Sequence, residues 1–263
     1  SYADEIEILS PVSGADGTGD GFLESNYDIS YVSGDLTIDR RAITLTASGQ
    51  EKIYGDALTF DDTAFTTLDK DGDKVLPNGE VITNVAINSV TNKAVSTDAN
   101  VQTYADEIEI LSPVAGTDGT GDGFLESNYD ITYVPGDLTI NRRAVTLTAS
   151  GQSKIYGDAL TLDDTLFSIA DKDGDSTLPN GEVITNVSIN SGTNINTSTT
   201  ADVGSYADEI EILSPVAGTD GTGDGFLENN YEITYVPGDL TINRRAITLT
   251  ASGQSKTYGD ALN

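Results

Sequence analysis

"DLTINRRAVTLTASGQ", residues 137–152, holds two alternating runs on either side of a charged break. Leu138 and Ile140 alternate with Thr139; Val145, Leu147 and Ala149 alternate with Thr146 and Thr148. A period of two is the pattern of a half-buried strand, because successive side chains point to opposite faces. The break, Asn141-Arg142-Arg143, reads as the passage from the last strand of one domain to the first strand of the next.

Working outward, the same stretch returns throughout the chain. "GDLTI" followed by "RRA" recurs at Gly34, Gly136 and Gly238, and "YADEIEILSPV" at Tyr2, Tyr104 and Tyr206, each 102 residues apart (104 − 2; 206 − 104). "YGDAL" begins at Tyr54, Tyr156 and Tyr258 in the same register. A period near 100 is too long for a solenoid unit and fits a small domain. Complete repeats are expected at 40–141 and 142–243, with 1–39 the end of a truncated repeat and 244–263 the start of another. Both ends would then cut through a domain, and a chain that opens on Ser1 reads as a piece of something longer.

Within a repeat, Tyr2, Asp4, Ile6 and Ile8 share one face of a strand, with Ala3, Glu5, Glu7 and Leu9 on the other. Tyr27, Ile29 and Tyr31 form a second set, and Val81, Thr83, Val85 and Ile87 a third. Gly, Pro, Asn and Asp separate the runs, and only "GFLESNY" suits a helical turn. The expected class is all-β: an elongated rod of small antiparallel β-domains. An Ig-like sandwich of about seven short strands is favoured, with a β-grasp sheet as the alternative.

The 263 residues carry 43 Asp+Glu against 13 Lys+Arg, a formal charge of −30, and no Cys, His, Met or Trp. Such a chain repels nucleic acid and anionic membranes and gathers cations. Disulfide and thiolate chemistry are excluded. No run approaches the roughly 20 apolar residues that span a bilayer, so no membrane insertion is expected of this segment.

Three segments carry a family resemblance: "NYDITYVPGDLTI" (128–140), "RRAVTLTASGQSKIYGDAL" (142–160) and "VGSYADEIEI" (203–212). Together they resemble the MBG or YDG tandem repeats of large bacterial surface proteins, including filamentous-haemagglutinin-like adhesins. The resemblance implies an extracellular, cell-surface stalk, adhesin or matrix protein, and it implies no catalytic residues.

The acidic loop "LDKDGDKVLPNGE" (68–80) admits two readings. Asp69, Asp71, Asp73 and Glu80 fall at places 1, 3, 5 and 12 of a calcium loop, and Asp171, Asp173, Asp175 and Glu182 repeat them. Calcium takes six to eight oxygens, which D-x-D-x-D with a later Glu can supply. However, Lys74 stands where an EF-hand has its glycine, and the flanks are strand-like. The other reading is a solvated acidic turn. A second acidic, Gly-rich loop offers Asp16 and Asp20, then Asp118 and Asp122, then Asp220 and Asp224, either for Ca2+ or as a flexible turn.

Arg40-Arg41, Arg142-Arg143 and Arg244-Arg245 sit at the expected junctions, placed to pair with carboxylates of the adjoining repeat. Tyr54 and Tyr156 of "KIYGD" read as buried rings with bonded hydroxyls, or as a stacking surface for glycan. Lys52, Lys154 and Lys256 are candidates for a Lys–Asn isopeptide staple. The expected role is structural: a non-catalytic stalk or fibre segment whose partners are neighbouring repeats and copies of itself. The alternative is multivalent adhesion to glycan or another surface ligand.

Overall fold

The structure is a computed structural model that describes residues 1–9, 26–115, 123–217 and 225–261. Strands β1 (Tyr2–Ile6) and β2 (Gly34–Leu36) pair antiparallel. Seven strands follow: β3 (Arg41–Ala47), β4 (Gln50–Ile53), β5 (Phe65–Asp69), β6 (Ile82–Ser89), β7 (Thr103–Ala115), β8 (Tyr129–Val134) and β9 (Gly136–Asn141). Seven more repeat them: β10 (Arg143–Ala149), β11 (Gln152–Ile155), β12 (Phe167–Asp171), β13 (Ile184–Ser191), β14 (Gly204–Ala217), β15 (Tyr231–Val236) and β16 (Gly238–Asn243). The chain is all-β. Among the described residues helical structure is confined to three-residue 3-10 turns, one of them at Glu126–Asn128 inside "GFLESNY". The helix that a β-grasp sheet requires is not among these elements.

Residues group into two units, 1–48 with 62–88 and 109–135, and 49–61 with 89–108 and 136–263. In the first unit, β3 lies between β5 and β8. Ile43, Leu76, Phe124 and Tyr129 form a buried cluster, with Ile82 and Ile131 packed against it.

The second unit contains β10–β16 entire. Two sheets, ordered β12-β10-β15 and β11-β16-β14-β13, bury Val145, Leu147, Val187, Ile210, Leu240 and Ile242, each 2 % exposed or less. Burial alternates along β10 and β16, as the period-two pattern dictates. Strand direction departs from an antiparallel plan. β10 runs parallel to β15 from Arg143↔Tyr231, and β11 runs parallel to β16 from Gln152↔Leu240. Both pairings have the same offset, 88 residues (231 − 143; 240 − 152). The run 143–155 and the run 231–243 are therefore one parallel ribbon that bends once and passes from one sheet to the other. Such sheet-switching bends make the corners of β-sandwiches. At the corner the backbones nearly touch: a Cβ on Gly238 would lie 2.6 Å from the Ala149 carbonyl oxygen. β3 with β8, and β4 with β9, keep the same parallel registers 102 residues earlier.

Two expected strand faces are corrected. Asp208 has φ +57°, a left-handed conformation, and the pairing advances from Tyr206↔Leu240 to Ile210↔Gly238, four residues against two. This bulge turns Glu209 inward beside Ile210, so the expected alternation stops there. In β13 a register shift between Ile184 and Asn186 buries Ile184 and leaves Val183 42 % exposed, reversing the face expected for this end of the strand.

Candidate functional site

The strongest concentration of buried polar groups lies where residue 141 passes to residue 143, wholly inside the second unit. It is built around Tyr54-Gly55-Asp56. β4 ends at Ile53, and the Asp56 N–H donates to the Ile53 carbonyl at 3.1 Å, closing a tight turn. Gly55 adopts φ +88°, and a Cβ there would stand 2.6 Å from Pro179 Cγ, so this position needs glycine twice over. The Tyr54 N–H donates to the Asn141 carbonyl at 2.9 Å, anchoring the turn beside the chain crossing.

Around this turn the next repeat forms a socket. The Tyr54 ring is 3 % exposed and meets Tyr231 edge-on, centroids 5.5 Å apart. The hydroxyls of Tyr54 and Tyr231 donate to the two oxygens of Glu182, the latter at 2.7 Å. Burial and the bond to Glu182 push the Tyr54 phenol up to about 12, and the same causes push Tyr231 up further. Both hydroxyls therefore stay protonated donors at neutral pH. The Asn180 amide donates to the Thr97 carbonyl at 3.0 Å. The fully buried Asn230 accepts from the Val101 N–H and donates to Asn100, both at 3.0 Å.

Arg143 joins the two sides. Its Nη1 donates to the Tyr54 carbonyl at 3.3 Å and to Asp56 at 2.9 Å. Its Nε and Nη2 donate to Asp171 at 3.0 and 2.5 Å, and Nη2 also reaches Asp173 at 2.8 Å. Lys172 adds an ion pair to Asp56 at 3.2 Å. Burial alone would lower the Arg143 pKa, but Asp171 and Asp56 hold it above its usual value. One planar guanidinium thus neutralises the acidic loop of its own repeat and grips the turn of the preceding one. Arg245 makes the same grip further on, from Nε to the Tyr156 carbonyl at 2.7 Å and from Nη2 to Asp158. Arg41 holds Asp69 and Asp71. The first arginine of each pair, Arg40, Arg142 or Arg244, is exposed.

The acidic loops are organised around these arginines. Asp171 Oδ1 accepts the N–H groups of Asp173 and Asp175 at 2.8 and 3.0 Å, while Oδ2 faces Arg143. Burial pushes the Asp171 carboxyl up, yet Arg143 and the two N–H groups hold it below the usual carboxylate range. Asp69 has the same partners, and Arg41 with the N–H groups of Asp73 and Asp71 holds it down to about 2. Glu80 and Glu182, the twelfth-place acids, point instead to Tyr129 and to the tyrosine pair. Among the described residues no group of three acidic side chains gathers in a way that could hold a metal ion. Asp16, Asp20, Asp118, Asp122, Asp220 and Asp224 lie outside the described residues.

The remaining candidates separate. Tyr54 is buried, whereas Tyr156 is 41 % exposed. Lys154 is buried and donates to the carbonyls of Asn196 and Ser198 at 3.1 and 2.5 Å; Lys52 donates to the Ser96 carbonyl. These lysines clip backbone loops and face no Asn side-chain carbonyl in these contacts. A groove of about 470 Å3 over β13 is lined by polar side chains such as Thr161, Asn190 and Asn194 together with Leu162, Val187 and Ile189, without an aromatic ring. Sequence reasoning missed Glu209. It is buried and accepts from Ser191, from the Thr193 N–H at 3.0 Å and from the Thr193 hydroxyl at 2.9 Å. No helix among the described residues is long and apolar enough to cross a membrane.

Residues 145–241 match the family described as the MBG domain, YGX type. The match spans the chain from β10 almost to the end of β16, and the Tyr-Gly-Asp turns agree with the YGX of that description. No curated protein matches the chain.

Proposed function

We propose that this array of MBG domains is a non-catalytic structural segment of a secreted bacterial surface stalk, fibre or matrix protein. One observation carries the reading: within a repeat, the first and last strand runs are parallel neighbours. A chain that enters a repeat at Arg143 therefore leaves it at Asn243, at the far end of the ribbon. Thirteen residues at about 3.3 Å each give the ribbon a length of roughly 40 Å before the bend shortens it. Domains with entry and exit at opposite ends, joined without a linker, extend in tandem. The buried junction at Tyr54 and Arg143 ties the turn of one repeat into the next, which supports a continuous spacer, since a loosely attached turn does not bury paired charges.

Buried titratable groups in the second unit are engaged in structural contacts: Arg143 with Asp171, Glu182 with two tyrosines, Glu209 with a Ser–Thr loop and Lys154 with carbonyls. That pattern favours a spacer over a reaction centre. Arg143 supplies the positive charge that the calcium reading asked of a metal, so we assign the rigidity of the acidic loop to arginine.

Small-angle X-ray scattering of the chain tests the reading. A compact globule of 263 residues has a radius of gyration of roughly 18 Å. The expected value is well above this, with a profile that does not change between chelator and excess calcium. A radius near the globular figure would overturn the extended spacer.

A further inference from the structure

The junction leans on an Asn-Gly pair, whose side chain can react with its own backbone. Asn180 and Gly181 are exposed and lie between the buried Leu178-Pro179 end of the acidic loop and the buried Glu182. Both are left-handed, with φ +59° and +74°. Asn and Gly are the residues that tolerate this conformation, so the backbone itself selects the pair. The preceding repeat has the same pair in the same conformation, Asn78 at φ +61° and Gly79 at φ +76°.

The lability has a chemical cause. The Gly181 backbone nitrogen attacks the side-chain carbonyl carbon of Asn180, and the Gly181 N–H proton leaves with the side-chain NH2 as ammonia. The product is a cyclic imide. Water then breaks either imide C–N bond, giving aspartate or isoaspartate. Asn is a thermolabile residue through this chemistry, and a following glycine has no side chain to obstruct the attack. The surroundings add no obstruction either: a Cβ on Gly181 would meet nothing within 4 Å.

The docked junction holds the reaction off. Asn180 has ψ +14°, and ring closure requires its peptide plane to rotate until the Gly181 nitrogen lies over the side-chain carbon. The side chain is tethered as well. Its amide nitrogen donates to the Thr97 carbonyl at 3.0 Å and to the Tyr54 hydroxyl at 3.3 Å. Both partners belong to the preceding repeat, so the reaction requires that repeat to let go of Asn180 first.

The product does not take the grip back. Aspartate presents acceptors where Asn180 presents a donor. The Thr97 carbonyl has no proton to give, and the Tyr54 hydroxyl gives its own to Glu182. The new carboxylate also adds like charge beside the buried Glu182. Isoaspartate, in addition, inserts a methylene into the backbone of the turn. We propose that Asn180 is a modification site that records opening of the repeat junction. While Tyr54 and Thr97 hold it, the amide persists; when they release it, Asn180 deamidates with water as co-reactant, and the junction stays loosened. The proposal rests on the Tyr54 junction and not on how far the chain extends.

Peptide mass spectrometry with fragmentation, after incubation of the whole chain in warm, mildly alkaline buffer, follows the change at residue 180. The folded parent is expected to react about tenfold or more slowly than the chain unfolded in guanidinium, the factor that two hydrogen bonds supply. Tyr54→Phe removes one of the two tethers and raises the rate in the folded state. Asp208→Val destabilises the same repeat at the β14 bulge and leaves the rate at the parent value, because local opening needs less free energy than global unfolding. Asn180→Asp, the product, lowers the melting temperature more than Asn180→Gly, which keeps the left-handed backbone and only removes the bonds. Equal rates in the folded and unfolded parent, equal acceleration by Tyr54→Phe and Asp208→Val, or an Asn180→Asp chain as stable as the parent overturns the proposal. A chain that scatters as an extended rod while residue 180 reacts no faster in Tyr54→Phe keeps the spacer and loses this site.

Discussion

Arg143 is where the acidic loop and the repeat junction become one problem. Its planar fork makes five contacts on two sides, and an ammonium group cannot reproduce that spread. Arg143→Ala leaves Asp171 buried without its partner and is expected to cost about 3–5 kcal/mol in urea unfolding. Arg143→Lys is expected to recover only a fraction of that loss. Tyr54→Phe removes one buried hydroxyl from Glu182, a loss of about 1–3 kcal/mol by the same measurement. A third measurement addresses the metal: with Asp69 and Asp171 held by arginine and backbone N–H groups, chelator and millimolar calcium should leave the melting temperature unchanged. A clear rise with calcium would favour the metal reading instead, since a ligand specific to the folded state must stabilise it. The sequence placed these acids in a loop and the arginines at the junctions. It could not pair them, because Arg143 and Asp171 are 28 residues apart and D-x-D-x-D spacing is equally good for a cation and a guanidinium. Tyr54 and Glu182, 128 residues apart, were further still from any local pattern.

At the scale of elements, alternation announced the strands, and their apolar residues at Val145, Leu147, Leu240 and Ile242 are the buried ones. Direction was not legible. A period of two states which face is buried and says nothing about whether a neighbour runs up or down, so the parallel ribbon of 143–155 with 231–243 could not be read. Nor could the bulge, since Asp208 is an ordinary polar residue until its φ of +57° is known. Its N–H donates to Asp239 Oδ1 at 3.1 Å, which helps hold the conformation. Asp208→Gly should therefore be neutral to mildly stabilising, while Asp208→Val should destabilise by about 1–3 kcal/mol, as expected for a β-branched residue forced to positive φ. Thermal melts of the two variants compare them directly. At the corner, Gly238→Ala pushes a methyl into the Ala149 carbonyl at 2.6 Å, and a comparable or larger loss is expected because backbone has to move.

Over the whole chain, 43 acidic residues against 13 basic ones make carboxylate titration the main lever of pH. Asp69, Asp171, Glu107 and Glu209 all have carboxyls held below their usual values in the folded state. A depressed folded value means the unfolded chain binds protons first on acidification. The stabilisation is therefore complete above the unfolded value near 4 and is lost as pH falls through the folded values, down to about 2 for Asp69. Melting temperature should be level from pH 8 to 6 and fall steeply below pH 4. High salt should lessen the repulsion among surface acids, leaving the buried Arg143–Asp171 pair little changed. The 102-residue period, legible at once, carries these features from repeat to repeat. The parallel ribbon then has a mechanical meaning. A pull applied along the chain draws Arg143 and Asn243 apart, and the hydrogen bonds between 143–155 and 231–243 lie across that pull. They are loaded together in shear and resist as a group, whereas a hairpin pulled from its open end would unzip bond by bond.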